Sequence, residues 1–273
     1  MEDQTTHTEH DEFADDLTAD TWSNELAGPG LIARLGAEAA GTFILVLLGV
    51  GTAVVGRGPL DVALAYGIAL MIGIVAFGGV SGAHFNPAVT VGAWLSGRFP
   101  GMDVVPYFLA QVVGGIVAAG VVRLGMGSLE AVNGEAAMRL MGAVSARYGD
   151  HAPLADSGLN FGLGVALGVE VIATGVLTLV VLAAASRRAT LAIAPLATGL
   201  TFAVLMLWTI PFTNGALNPA RATATALFSD TWALQQLWVW WLAPILGAAI
   251  VGLLYRIYGP IEEAEALPEG AEN

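Results

Sequence analysis

The chain has 273 residues, with 23 Asp plus Glu against 10 Arg, no Lys and no Cys, for a formal net charge of -13. Against that acidity, 56% of residues are hydrophobic, only 12% are charged, and mean hydropathy is +0.71, whereas a soluble domain carries about a quarter of its residues as charges. The balance points to a protein whose solvent is largely lipid; the acidity excludes a basic nucleic-acid surface, and the missing Cys excludes disulfides, thiolate chemistry and Cys-ligated metal.

Residues 1–30 hold nine carboxylates, no Arg and no apolar run, which reads as a disordered, solvated tail and not a signal peptide. His7 and His10 in that polar setting make no metal site by themselves. Six apolar segments follow, each long enough to cross about 30 Å of hydrocarbon: 32–55, 62–80, 104–125, 161–185, 190–210 and 233–257. Small residues such as Gly114 and Gly115 suit close helix packing in a bilayer. Pro106 falls in the first turn of the third span, where a missing N–H is tolerated. Trp238, Trp240 and Trp241, near the start of the sixth span, read as interfacial anchors and packing residues. A second acidic tail, 258–273, carries Glu262, Glu263, Glu265, Glu269 and Glu272.

Two segments are too short and too marked by Pro to cross alone: 81–95 and 213–227. Each contains Asn-Pro-Ala, as Asn86-Pro87-Ala88 and Asn218-Pro219-Ala220, 132 residues apart (86 to 218). Glu38 precedes Asn86 by the same 48 residues that separate Glu170 from Asn218, and each Glu is followed four residues later by Thr, at 42 and 174. A tripeptide, a Glu and a Thr repeating at one offset constitute a duplication. Three spans per half is an odd number, so the halves, about 31–125 and 161–257, lie inverted to one another. The connection 126–160 has apolar positions that allow either a short surface helix or a lid. With both termini cytoplasmic, Arg34, Arg98, Arg187, Arg188 and Arg256 fall inside, and Arg57, Arg123, Arg139, Arg147 and Arg221 outside. Discounting the re-entrant Arg221 and the loop residues Arg139 and Arg147 leaves a bias toward cytoplasmic termini in a multi-pass cell-membrane protein.

Asn is a good helix N-cap and Pro a preorganised first residue, so each Asn-Pro-Ala starts a half-helix. In an inverted pair the two positive ends meet near the membrane centre and repel cations and protons. The amides of Asn86 and Asn218 then donate to a permeating oxygen, which breaks a proton-hopping wire. Such a passage needs no nucleophile, metal or cofactor, and the spans hold no enzyme constellation. Arg221, directly after the second motif, is a charge at membrane depth and a site residue by default. Glu38 and Glu170 suit acceptance of backbone N–H groups from the re-entrant segments. His84 reads either as the cytoplasmic mouth of the passage or as a packing side chain.

SGAHFNPAV, TNGALNPAR and AEAAGTF together resemble the major intrinsic protein family, the aquaporins and aquaglyceroporins, over about residues 31–257. HFNPAVT, QVVGGIVAA and WALQQLW are most similar to bacterial water channels of the aquaporin Z type. The resemblance implies an all-α membrane fold of six transmembrane helices and two re-entrant half-helices, and homotetramers with one pore per subunit. It also implies a four-residue selectivity filter at Tyr66, Met206, Gly215 and Arg221. The water-selective type has Phe, His and Thr at the first three of these places, so the resemblance leads to a somewhat wider and less polar constriction. The glycerol-conducting pattern, with an Asp directly after the Arg, is also unmatched, since Ala222 stands there. The function implied is passive water conduction with exclusion of protons and ions. The alternatives are facilitation of small neutral solutes such as glycerol, and an ion-coupled secondary transporter, for which the body offers only the two symmetric Glu.

Overall fold

The computed structural model describes residues 28–56, 58–128, 132, 134–186 and 193–260. The acidic tails, apart from 28–30 and 258–260, therefore lie outside the described residues, as do His7, His10, Arg57, Arg187 and Arg188. Among the described residues every regular element is helical: α1 (Leu31–Val55), α2 (Pro59–Ser81), α3 (Pro87–Leu95), α4 (Val104–Gly127), α5 (Gly134–Val144), α6 (Leu163–Ala184), α7 (Ala194–Thr213), α8 (Pro219–Ala226) and α9 (Thr231–Tyr258). Six of these are long and apolar enough to cross a membrane, and they coincide with the predicted spans to within a few residues. The two short helices α3 and α8 start at the two Pro of the repeated tripeptides.

The spans are built inside out relative to a soluble core. On α4 the buried face is Gln111, Gly114, Gly115, Ala118 and Ala119, whereas Val105, Leu109, Val113, Val117 and Val121 point outward. Small residues inside bring the backbones together, and bulky apolar ones meet the lipid. A Cβ at Gly114 would lie 2.1 Å from the Ala39 carbonyl oxygen, and one at Gly247 2.1 Å from the Val171 carbonyl oxygen. These two crossings, α1 on α4 and α6 on α9, occupy the same place in the two halves.

The halves interlock. Half-helix α3 of the first half packs against α9 and α6 of the second, and α8 of the second packs against α4 of the first. Helices α2 and α7 join the halves face to face. Following the chain through alternate crossings puts the start of α1, the start of α4, the junction of α6 and α7, and the end of α9 on one face. The α4–α6 connection lies on the opposite face and does contain a helix, α5. Of the two roles read for the Trp cluster, Trp240 takes packing alone, being 1% exposed in the core, and Trp241 donates its indole N–H to the Thr223 hydroxyl at 3.0 Å. Only Trp238 of the three faces outward.

Candidate functional site

The loops leading into α3 and α8 share an unusual backbone. Gly82, Ala83 and Phe85 have φ of 85°, 54° and 49°, and their counterparts at the repeat offset, Asn214, Gly215 and Leu217, have 61°, 60° and 46°. A left-handed conformation at a non-glycine residue costs about 1–3 kcal/mol and persists only when its surroundings over-determine it. Here the surroundings are the two buried carboxylates. Glu38 Oε1 accepts from the Ser81 hydroxyl (2.7 Å) and the His84 N–H (2.9 Å), and its Oε2 from the Phe85 N–H and the Gln111 amide (both 2.7 Å). Glu170 Oε1 accepts from the Thr213 hydroxyl (2.6 Å) and the Ala216 N–H (2.8 Å), and its Oε2 from the Leu217 N–H (2.7 Å). Both carboxylates are fully buried. Each carboxylate thus braces the loop of its own half.

Each Asn caps its half-helix. The Asn86 Oδ1 accepts from the Ala88 N–H at 2.9 Å, and the Asn218 Oδ1 from the N–H groups of Ala220 (2.9 Å) and Arg221 (3.3 Å). The amide nitrogens cross between the halves: Asn86 Nδ2 donates to the Leu217 carbonyl and Asn218 Nδ2 to the Phe85 carbonyl, both at 2.8 Å. An amide N–H2 carries two donors, so each Asn keeps one beyond this exchange. Both side chains line a cavity of about 630 Å³ that runs from the Asn pair toward the face bearing the chain ends. Its wall is mostly apolar, with His84 and Thr198 among the polar exceptions. His84 lines the cavity while its ring packs on Phe99 and Tyr107 and its Nδ1 lies 3.1 Å from the Thr90 hydroxyl.

Beyond the Asn pair, on the opposite side, the structure brings together Tyr66, Met206, Gly215 and Arg221. Arg221 is 1% exposed. Its Nη2 donates to the carbonyls of Val144 (3.0 Å) and Asn214 (3.1 Å), and its Nε donates to the Tyr66 hydroxyl at 3.0 Å. Its Nη1 is buried with no hydrogen-bond partner among the described residues, and no carboxylate there pairs with it. At positions 66, 206 and 215, where the resemblance leads to a wider and less polar constriction, the structure shows two contacts. The Tyr66 hydroxyl adds a polar group against Arg221, and the Met206 thioether fills the space beside Gly215, where a Cβ would lie 2.8 Å from its Sδ.

Several partners escaped sequence reasoning. Ser81 and Thr213 stand 43 residues after their respective Glu, so the repeat offset itself would have found them. Gln111 lay within a stretch quoted only for its family likeness. Val144 carried no local signal. The segment after α5 reaches it through contacts with the second loop: Asn214 Nδ2 donates to the carbonyls of Ala143 and Ser145, and the Arg147 N–H donates to the Thr213 carbonyl. Burial pushes the Arg147 guanidinium below its usual range, with Asp156 opposing.

Six apolar spans, an interlocked inverted repeat and capped half-helices meeting through paired Asn define an integral membrane protein of the major intrinsic protein family, and the chain belongs to it: the family description Major intrinsic protein matches residues 26–255. Within that family it is 40% identical over 237 residues to Aquaporin Z of Photorhabdus laumondii subsp. laumondii, covering 83% of this chain and 97% of that protein. Its fold is similar to the X-ray structure of the aquaglyceroporin from Plasmodium falciparum, with a TM-score of 0.64 and 23% identity over 83% of this chain and 96% of that one.

Proposed function

We propose that the chain is a passive channel that conducts water along osmotic gradients and excludes protons and ions. The observation that carries this reading is the crossed exchange of the two Asn amides at the N-termini of the half-helices. Each Asn retains one N–H for a permeating oxygen, and the two half-helix dipoles present positive ends to the same point. A water accepting from both Asn uses both lone pairs, so it cannot pass a proton along the file; the dipoles oppose cations. No step in this passage consumes a substrate or an ion gradient. The 40% identity to a protein named Aquaporin Z supports water as the permeant.

In this reading Asn86, Pro87, Ala88, Asn218, Pro219 and Ala220 form the pore centre, Glu38 and Glu170 hold it in place, and Tyr66, Met206, Gly215 and Arg221 form the selectivity filter. The channel domain spans residues 31–257, between acidic tails at 1–30 and 258–273. The protein sits in the cell membrane as a homotetramer with both termini cytoplasmic, so the cavity beside His84 is the inner vestibule and the α5 side is outside. The test is stopped-flow light scattering of proteoliposomes shocked in turn with sucrose, glycerol and urea. Fast shrinkage in each without re-swelling supports a water pore. Rapid re-swelling in glycerol replaces water with small neutral solutes as the wider substrate class, and flux that follows an ion gradient defeats the channel reading.

A further inference from the structure

We propose that a buried water completes the hydrogen-bond shell of Glu170, held there by the indole N–H of Trp240, in the role that the Gln111 amide has at Glu38. The site goes beyond the channel reading; only its effect on permeability rests on that reading.

The two halves brace their loops unequally. Glu38 accepts from four donors, the fourth being the Gln111 amide, which also donates to the Thr90 hydroxyl at 3.1 Å. Glu170 accepts from three. The repeat gives the reason. Gly114 on α4 and Gly247 on α9, 133 residues apart (114 to 247), press on the carbonyls of Ala39 and Val171, themselves 132 apart (39 to 171). The same registers match Gln111 with Pro244, Tyr107 with Trp240, and Thr90 with Ala222. Pro244 and Ala222 bring no polar side-chain atom. Glu170 Oε2 therefore keeps the lone-pair capacity that Glu38 Oε2 uses on Gln111.

A donor stands close by. Trp240 is 1% exposed, and its Nε1 is buried with no hydrogen-bond partner among the described residues. Buried donors are paired in folded chains, with protein or with ordered water. Trp240 belongs to one buried cluster with Ala166, Ala216 and Ala222. Ala166 lies one helical turn before Glu170 on α6, and Ala216 gives its N–H to Glu170 Oε1. In the first half Tyr107, the match of Trp240, donates its hydroxyl directly to the Ser81 carbonyl at 2.9 Å. Thr213 matches Ser81, and its carbonyl accepts the Arg147 N–H with one of two lone pairs. An indole N–H leaves the side of its ring and not the tip, so Trp240 needs a bridge where Tyr107 needs none. A water that accepts from Trp240 Nε1 and donates to Glu170 Oε2 and to the Thr213 carbonyl has three partners, the usual number for a buried water. Through it Trp240 is a positioning residue for the pore centre, since Glu170 Oε2 holds the Leu217 N–H and the Leu217 carbonyl accepts the Asn86 amide.

A crystal structure at a resolution that shows ordered water tests the site. Density within hydrogen-bond distance of both Trp240 Nε1 and Glu170 Oε2 is expected; no water there, or a direct protein acceptor on Nε1, overturns the proposal. In lipid nanodiscs with indole-labelled tryptophan, the resonance lost in Trp240→Phe should show a cross-peak to water in the wild type, and its absence counts equally against the site. Trp240→Phe and Trp240→Tyr lose the same ring volume and differ in one hydroxyl. Tyr restores a donor toward the Thr213 carbonyl, so its unfolding midpoint should lie about 2–4 °C above that of Phe, the shift of one net hydrogen bond in a chain of this length. Its osmotic permeability should also stay nearer the wild type. Equal midpoints overturn the proposal. Should neither variant fold, the wild-type crystal structure decides alone. The water seen in a wild type no faster than empty vesicles upholds the site and sinks the channel reading, a separate outcome.

Discussion

Replacing Glu170 distinguishes a brace from a bystander, because its three bonds can be removed in steps. Glu170→Gln keeps the side-chain volume. With its carbonyl oxygen at the Oε1 place it still accepts from the Thr213 hydroxyl and the Ala216 N–H, but its N–H2 now faces the Leu217 N–H. The orphaned Leu217 N–H costs about 1–3 kcal/mol, and the Gln N–H2 that faces it is a second buried group without an acceptor. Glu170→Ala orphans both backbone N–H groups, so the expected loss is about 2–6 kcal/mol, before any cavity cost. The consequence reaches the pore centre, because Leu217 holds a φ of 46° and its carbonyl accepts from the Asn86 amide. Thermal unfolding in detergent, followed by tryptophan fluorescence, and osmotic permeability of the same preparations supply the two readouts. Both should fall in the order wild type, Gln, Ala. Equal effects of Gln and Ala, or a destabilised variant with unchanged permeability, would refute the reasoning.

Three further outcomes follow from the same geometry. Asn218→Asp removes the donor to the Phe85 carbonyl and sets a carboxylate where the half-helices meet; a unit charge at 4 Å is worth about 4 kcal/mol at an effective dielectric of about 20, so a pH-sensitive dye trapped in proteoliposomes should report faster proton influx. Arg221→Ala removes the guanidinium from the proposed filter and should let urea and glycerol re-swell vesicles that otherwise stay shrunken; unchanged exclusion would place the filter elsewhere. With no Cys in the chain, mercurial thiol reagents should leave water flux unaltered, and inhibition reversed by a thiol would contradict that expectation.

The fold was legible wherever one residue type repeats with the chain's own period. Hydropathy alone placed all six spans, and Asn-Pro at 86–87 and 218–219 marked the half-helix starts, because capping is a local property of those two residues. Glu38 and Glu170 stood out because an unpaired carboxylate in an apolar span demands donors, and the nearest candidates were the irregular loops. The proposed filter was less legible. Side-chain identities at 66, 206 and 215 suggested a wider opening, yet width depends on where a flexible thioether lies and on whether a phenol meets a guanidinium. Neither distance is encoded by residue type. The same holds for Trp240, whose burial is set by the helices around α9 and not by its neighbours in sequence. Val144 was invisible because it contributes only a carbonyl, which every residue has.

A passage of this geometry carries water but not protons. It is tested most directly by recording both fluxes on one batch of proteoliposomes, water by light scattering under a sucrose shock and protons by a trapped dye under a pH step. A proton-excluding water pore predicts water permeability well above that of empty vesicles, with proton influx at the empty-vesicle rate. Proton influx that rises together with water, or water permeability equal to that of empty vesicles, would contradict it.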